Sequence, residues 1–250
     1  MAIDLSTLQK NSPKPPRIIM YGPPGVGKTT FAVSAPDPVV VQTEDGLGVL
    51  DATAFPLAKS YKEVIEALTA LGTEKHEFKT VVINSLDWLE NLIWNRVCEA
   101  HDVSSIEKLS YGKGYVEALN YWREFFDYTT ALRDHRDMTV IMTAHSQVVR
   151  VEDPEHDAYD AHTLKLHKRA AAVCEEFSDL IAYATLKTMV RKEDKGFGQQ
   201  RNRAITTGER VMHLVGTPAY LAKNRYGLPD TLPLTWQALS EHLATYSQAA

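Results

Sequence analysis

Residues Gly22-Pro23-Pro24-Gly25-Val26-Gly27-Lys28-Thr29 fill every fixed position of the pattern G-x-x-x-x-G-K-[ST]. The run before it, Arg17-Ile-Ile-Met-Tyr21, reads as a short buried strand. The run after it, Thr30-Phe-Ala-Val-Ser34, reads as the first turns of a helix. A strand–loop–helix setting is what gives this pattern physical meaning. Its glycines let the backbone curl until several N–H groups converge on a phosphate. The positive end of the helix adds to that field. The segment from Gly22 to Thr30 is therefore expected to bind ATP. Lys28 is expected to reach the β- and γ-phosphates, and the Thr29 hydroxyl to ligate Mg²⁺.

Apolar runs and helical spacings alternate beyond this loop. Pro38–Thr43, Lys79–Ile83 and Met138–Thr143 read as strands, the middle one a continuous apolar run suited to a sheet covered on both faces. Lys62–Leu71, Leu86–Ala100 and Gly114–Arg133 carry apolar residues at helical spacing. This order predicts an α/β fold with a mostly parallel central sheet flanked by helices. Glu152–His162 reads as a long acidic loop and Leu164–Phe177 as a helix. Leu180–Val190 and Arg210–Leu214 read as strands flanking a basic, glycine-containing segment, Arg191–Arg203. Leu234–Tyr246 reads as a short amphipathic helix. The expected organisation is a flexible lead-in over 1–16, a nucleotide-binding core over 17–190, and over 191–250 a basic hairpin and small β-rich C-terminal extension of the same domain.

A chain of 250 residues with 44% hydrophobic content has enough apolar surface for one full core. Its net charge of −5 means that any nucleic-acid contact must come from a local cationic patch. Cys98 and Cys174 sit in apolar helical runs and read as core thiols of a reducing compartment. No apolar run is long enough to span a membrane, and Met1–Pro16 shows no targeting pattern.

Three further segments resemble RecA-type ATPases, and most of all the ATP-dependent RecA-like recombinases of bacteriophages, of the single-strand-annealing class. Val41-Gln-Thr-Glu44-Asp-Gly46 resembles the strand end that carries the family's water-activating glutamate. Val81-Val-Ile-Asn84-Ser85 stands in the place of the Walker B strand. Val140-Ile-Met-Thr-Ala-His145-Ser resembles the strand that ends in a γ-phosphate-sensing polar residue. With the loop they cover roughly residues 17–150. Ala222-Lys-Asn-Arg-Tyr-Gly-Leu-Pro229 resembles the C-terminal part of the phage group. The resemblance implies catalytic roles for Glu44, Lys28 and His145, and Mg²⁺ held by Thr29 and, through water, Asn84. It also implies an oligomer, single-stranded DNA as partner, a phage single-stranded-DNA-binding protein as a further one, and the cytoplasm of a bacterial host. Basic residues of a neighbouring subunit reach the γ-phosphate in such oligomers, a role open to Lys165, Lys168 and Arg169. A solvated helix face explains them equally well. One departure matters: Asn84 stands where the family has Asp, so charge is missing at the metal. Either turnover is weakened, or Asp87 or Asp45 supplies part of the charge.

Arg191, Lys192, Lys195, Arg201 and Arg203 bracket Gly196-Phe197-Gly198, which suits a backbone-tracking finger with a stacking ring. A solvated hairpin is the plain alternative. His156, His162 and His167 match no closed metal-site spacing. A replicative motor or loader ATPase is the competing function. A small-molecule kinase is weaker, because no Arg-rich lid is visible.

Overall fold

The computed structural model describes Asp4, Leu8 and residues 12–154, 157–194 and 200–249. Its sheet is built on β1 (Arg17–Gly22), which runs parallel to β4 (Thr139–Val151) on one side and β6 (Leu180–Asp194) on the other. Beyond β4 lie β3 (Thr80–Asn84) and β2 (Pro38–Gln42), also parallel. Beyond β6 the sheet turns antiparallel, with β7 (Gln200–His213) and then β9 (Thr231–Pro233). The order is β2-β3-β4-β1-β6-β7-β9. This is the expected α/β architecture with a mostly parallel sheet.

Both faces of the parallel strands are buried, which is why their sequences read as unbroken apolar runs. Ile18 and Met20 face one side and Ile19 and Tyr21 the other, as the two-residue period requires. On the first side they pack with Phe31 of α1 (Lys28–Val33) and Leu239 of α6 (Trp236–Ala249). On the second they meet α2 (Tyr61–Thr73), α3 (Leu86–Ala100), α4 (Lys113–Arg136) and α5 (Lys168–Phe177). Trp122 and Phe126 of α4 belong to this core, as does Cys174, whereas Cys98 is half-buried. Among the described residues no helix is long and apolar enough to cross a membrane.

Three expectations are corrected. Glu152–His162 is not a long loop. β4 continues to Val151 and pairs antiparallel with β5 (Tyr159–Leu164), which leaves only a short connection. Apart from buried Leu164, the pairing partners, Ser146–Val151 and Tyr159–Thr163, are half-exposed or exposed, so they lack the apolar run that marked the inner strands. The helix expected at Leu164 begins at Lys168, because Leu164 ends β5 and the His167 ring caps the helix by accepting the Arg169 N–H at 3.4 Å. The strands flanking the basic segment are longer than expected. Arg191–Asp194 and Gln200–Arg203 extend β6 and β7 into one long hairpin.

The edge of the sheet away from the glycine loop is tied by Asp179. Its carboxylate accepts from Arg17 Nε and Nη2 at 3.0 and 2.9 Å, from Arg225 Nη1 at 3.1 Å and from Arg133 Nη1 at 3.4 Å. This knot accounts for part of the 222–229 segment. Lys223–Asn224 forms β8 against β6, and the Asn224 side chain closes a turn by accepting from the Tyr226 and Leu228 N–H groups.

Candidate functional site

The glycine loop is shaped by contacts that only glycine permits. A Cβ on Gly22 would lie 2.3 Å from the Ala184 carbonyl oxygen of β6. Gly25 and Gly27 have φ of 74° and 107°, conformations that side chains disfavour. Buried Val26 anchors the loop from beneath, while Pro24 and Gly25 stay exposed. Lys28 is only 7% exposed, and its ammonium donates to the Gly22 and Pro23 carbonyls at 3.0 Å each. Burial lowers its pKa, and the carboxylates of Glu44 and Asp87 resist that shift. The loop therefore holds a nearly desolvated cation under its own backbone.

The strand order decides what faces Lys28. β4 is inserted between β1 and β3, so residues of three strands meet at the C-terminal edge, where such sheets place ligands. Asn84, at the end of β3, is 1% exposed. Its Oδ1 accepts from Thr29 Oγ1 at 3.1 Å and from Thr143 Oγ1 of β4 at 2.8 Å. Its Nδ2 is buried and, among the described residues, has no acceptor. An orphaned buried donor is costly, so this position wants a further acceptor from outside the chain. Gly46 leaves room beside it: a Cβ there would sit 3.2 Å from that nitrogen.

Glu44 follows β2, and its N–H donates to the Asn84 carbonyl at 3.2 Å. Thr43 adds a bond from its hydroxyl to the Ser85 carbonyl at 2.7 Å, which ties the ends of β2 and β3 together. Asp87 stands in the first turn of α3. Its Oδ1 accepts the His145 N–H at 3.0 Å, and its Oδ2 lies 2.9 Å from His145 Nδ1. Ligand atoms of Glu44, Asp87 and His145 lie within 4.8 Å of one another. Burial raises the Glu44 carboxyl, the His145 charge opposes it, and Asp87 adds to the rise. Burial alone would raise Asp87 as well. The hydrogen bonds from the His145 ring and backbone outweigh it and hold Asp87 below the usual carboxylate range.

This donor set fits a nucleoside triphosphate with a divalent cation. Lys28 and the loop N–H groups suit phosphate oxygens, and the Thr29 hydroxyl with Asn84 Oδ1 suits the cation. Asn84 brings no charge, but Glu44 and Asp87 stand close enough to contribute it. A hard cation prefers such oxygen ligands.

His145 was expected just past its strand. It lies within β4, opposite Gly22 in register. Asp45 is exposed at the turn. The pairing of Asp87 with His145 had no local signal, since the two are far apart in sequence. Lys165, Lys168 and Arg169 are exposed, but their segment is fixed beside the site. The Lys165 N–H donates to the His145 carbonyl at 2.9 Å. The His167 N–H donates to both Glu90 oxygens at 3.1 and 3.0 Å, and Tyr115 stacks on the His167 ring at 4.2 Å. Burial pushes the Glu90 carboxyl up to about 7.

Of the basic segment, Arg191 and Lys192 lie on β6 and Arg201 and Arg203 on β7, whereas Lys195 and Phe197 lie outside the described residues. His156 does too. His162 and His167 join no cluster: among the described residues the one group able to hold a metal is Glu44, Asp87 and His145.

A family model described as an AAA domain matches residues 14–226, which include the loop, all of its facing residues and the hairpin. No curated protein matches the chain.

Proposed function

Because the chain belongs to the AAA domain family of P-loop ATPases, we propose that it hydrolyses ATP and uses that reaction on single-stranded DNA, as an oligomeric RecA-like recombinase of the phage type. The observation that carries the hydrolytic reading is the grouping of Glu44 with the Asp87–His145 pair, both carboxylates acting on Lys28. Glu44 aligns a water and accepts its proton. The water oxygen bonds to the γ-phosphorus as the bond to the bridging oxygen breaks, leaving ADP and phosphate. Lys28 stabilises charge on the phosphates. Asp87 fixes the His145 ring, so that its other nitrogen is free for the phosphate side. Mg²⁺, held by Thr29 and Asn84, supplies charge neutralisation when bound.

Asn84→Asp is expected to raise Mg²⁺-dependent turnover on the order of tenfold, a barrier change of about 1.4 kcal/mol. It adds charge and removes the orphaned Nδ2. Half-saturation in Mg²⁺ should also fall. Turnover titrated against Mg²⁺ checks this, and an unchanged half-saturation would count against Asn84 as a metal-supporting position.

The DNA reading rests on the β6–β7 hairpin. Arg191 and Arg203 occupy directly opposed positions. At the hairpin's root an open groove of about 930 Å³ is lined by Tyr183, His213, Tyr220 and Lys187. Half-buried Tyr220 packs on the buried Tyr183 ring at 5.3 Å, and Tyr220 is the ring of this groove that would stack on a base. Lys165, Lys168 and Arg169 are proposed to serve a neighbouring subunit's nucleotide. Replacing Arg201 and Arg203 by Ala should weaken single-strand binding. It should also flatten the slope of log affinity against log salt by about 0.7 per lost phosphate contact. Anisotropy titrations at several salt concentrations decide. ATP turnover stimulated by single-stranded but not duplex DNA would support the recombinase over a motor or loader.

A further inference from the structure

We propose that Arg210 is a polyphosphate ligand, reaching over the glycine loop from β7. The inference rests on the loop binding a nucleotide, and assigns that site a residue from the far end of the chain. Arg210 shares its sheet face with Met212, which packs in the same core as Val26 and Phe31. It therefore points to the side on which the loop and α1 lie. Its guanidinium crosses Gly27. A Cβ on Gly27 would meet Arg210 Nη1 at 3.1 Å, Cδ at 3.5 Å and Cζ at 3.7 Å. The backbone that carries it is fixed, since its carbonyl accepts the Leu234 N–H at 3.0 Å and it stands opposite Leu186 in the hairpin.

The head group is exposed, and among the described residues it has no hydrogen-bond or ion-pair partner. Its nearest neighbour is a loop that already holds the Lys28 ammonium. An anion seated on the loop is attracted by both groups. A guanidinium is always charged and presents a planar fork of donors that matches phosphate oxygens. The ligand class is therefore a di- or triphosphate chain, with Arg210 and Lys28 on it together.

Calorimetric titrations with ADP, ATP and inorganic tripolyphosphate test this on the full chain. The variants are Arg210→Ala, Arg210→Lys and Lys28→Ala. Arg210→Ala should weaken all three ligands on the order of ten- to a hundredfold, as losing a charge-assisted bond does. Arg210→Lys should recover part of the loss, because it keeps the charge without the fork. Unchanged affinities would overturn the assignment. So would a loss seen with the nucleotides but not with tripolyphosphate, which would make Arg210 a base contact. Tighter binding would make it an obstruction. Circular dichroism verifies the fold, and Arg210→Gln replaces the Ala variant if that one fails to fold. The two failures separate cleanly. If Lys28→Ala keeps parental affinity, the nucleotide site itself is misplaced. If Lys28→Ala loses binding and Arg210→Ala does not, only the present inference falls.

Discussion

Glu44→Gln is expected to lower kcat for ATP hydrolysis about 10²- to 10⁴-fold, the usual contribution of a positioned acid–base group. ATP affinity should change by no more than about twofold, because the contact is made mainly in the transition state. The structure gives three reasons. Glu44 is half-buried, and burial raises its carboxyl toward the range in which a base works well near neutral pH. Its backbone is held by the ends of β2 and β3, so Gln would keep its place. It shares a cluster with Asp87, yet it is Asp87 that is committed to His145, which leaves Glu44 for water. Steady-state kinetics beside equilibrium titration checks this. A change confined to KM would assign Glu44 to ground-state binding and move the water-activating role elsewhere.

Much of the fold was legible because its signals are local. The Leu86–Ala100 helix is bounded as its apolar spacing predicts, and the inner strands announce themselves as unbroken apolar runs because helices cover both faces. The glycine loop is contiguous, so its residues can be read in one stretch. Strand length is harder. β4 runs past the core, where polar and partly exposed residues break the apolar run and pairing with β5 keeps it extended, and β6 likewise continues along β7.

The site itself is legible only where one strand end supplies it. Glu44, Asn84 and His145 each end or follow an apolar run. The bonds that join them belong to strand order, which no single segment records. Insertion of β4 between β1 and β3 is what puts Thr143 on Asn84 and His145 on Asp87. Arg210 was hidden for the same reason. In sequence it is one cation in an exposed strand, and only the pairing of β6 with β1 and of β7 with β6 carries it to Gly27. The 222–229 segment shows the converse. Its Asn224 turn and Arg225 serve the Asp179 knot at the opposite edge of the sheet.

The most direct test of the account is a calorimetric titration of ATP with Mg²⁺ into the parent chain and Lys28→Ala. Lys28 is the buried cation at the centre of the site, bonded among the described residues only to the Gly22 and Pro23 carbonyls. Its removal should leave the fold intact. It should weaken binding by roughly 10²- to 10³-fold, as truncating one partner of a desolvated charge pair does. Saturable binding by the parent, lost in Lys28→Ala with an unchanged circular dichroism spectrum, is the predicted result. Equal affinity in the two proteins would contradict it, and would remove the nucleotide from the glycine loop.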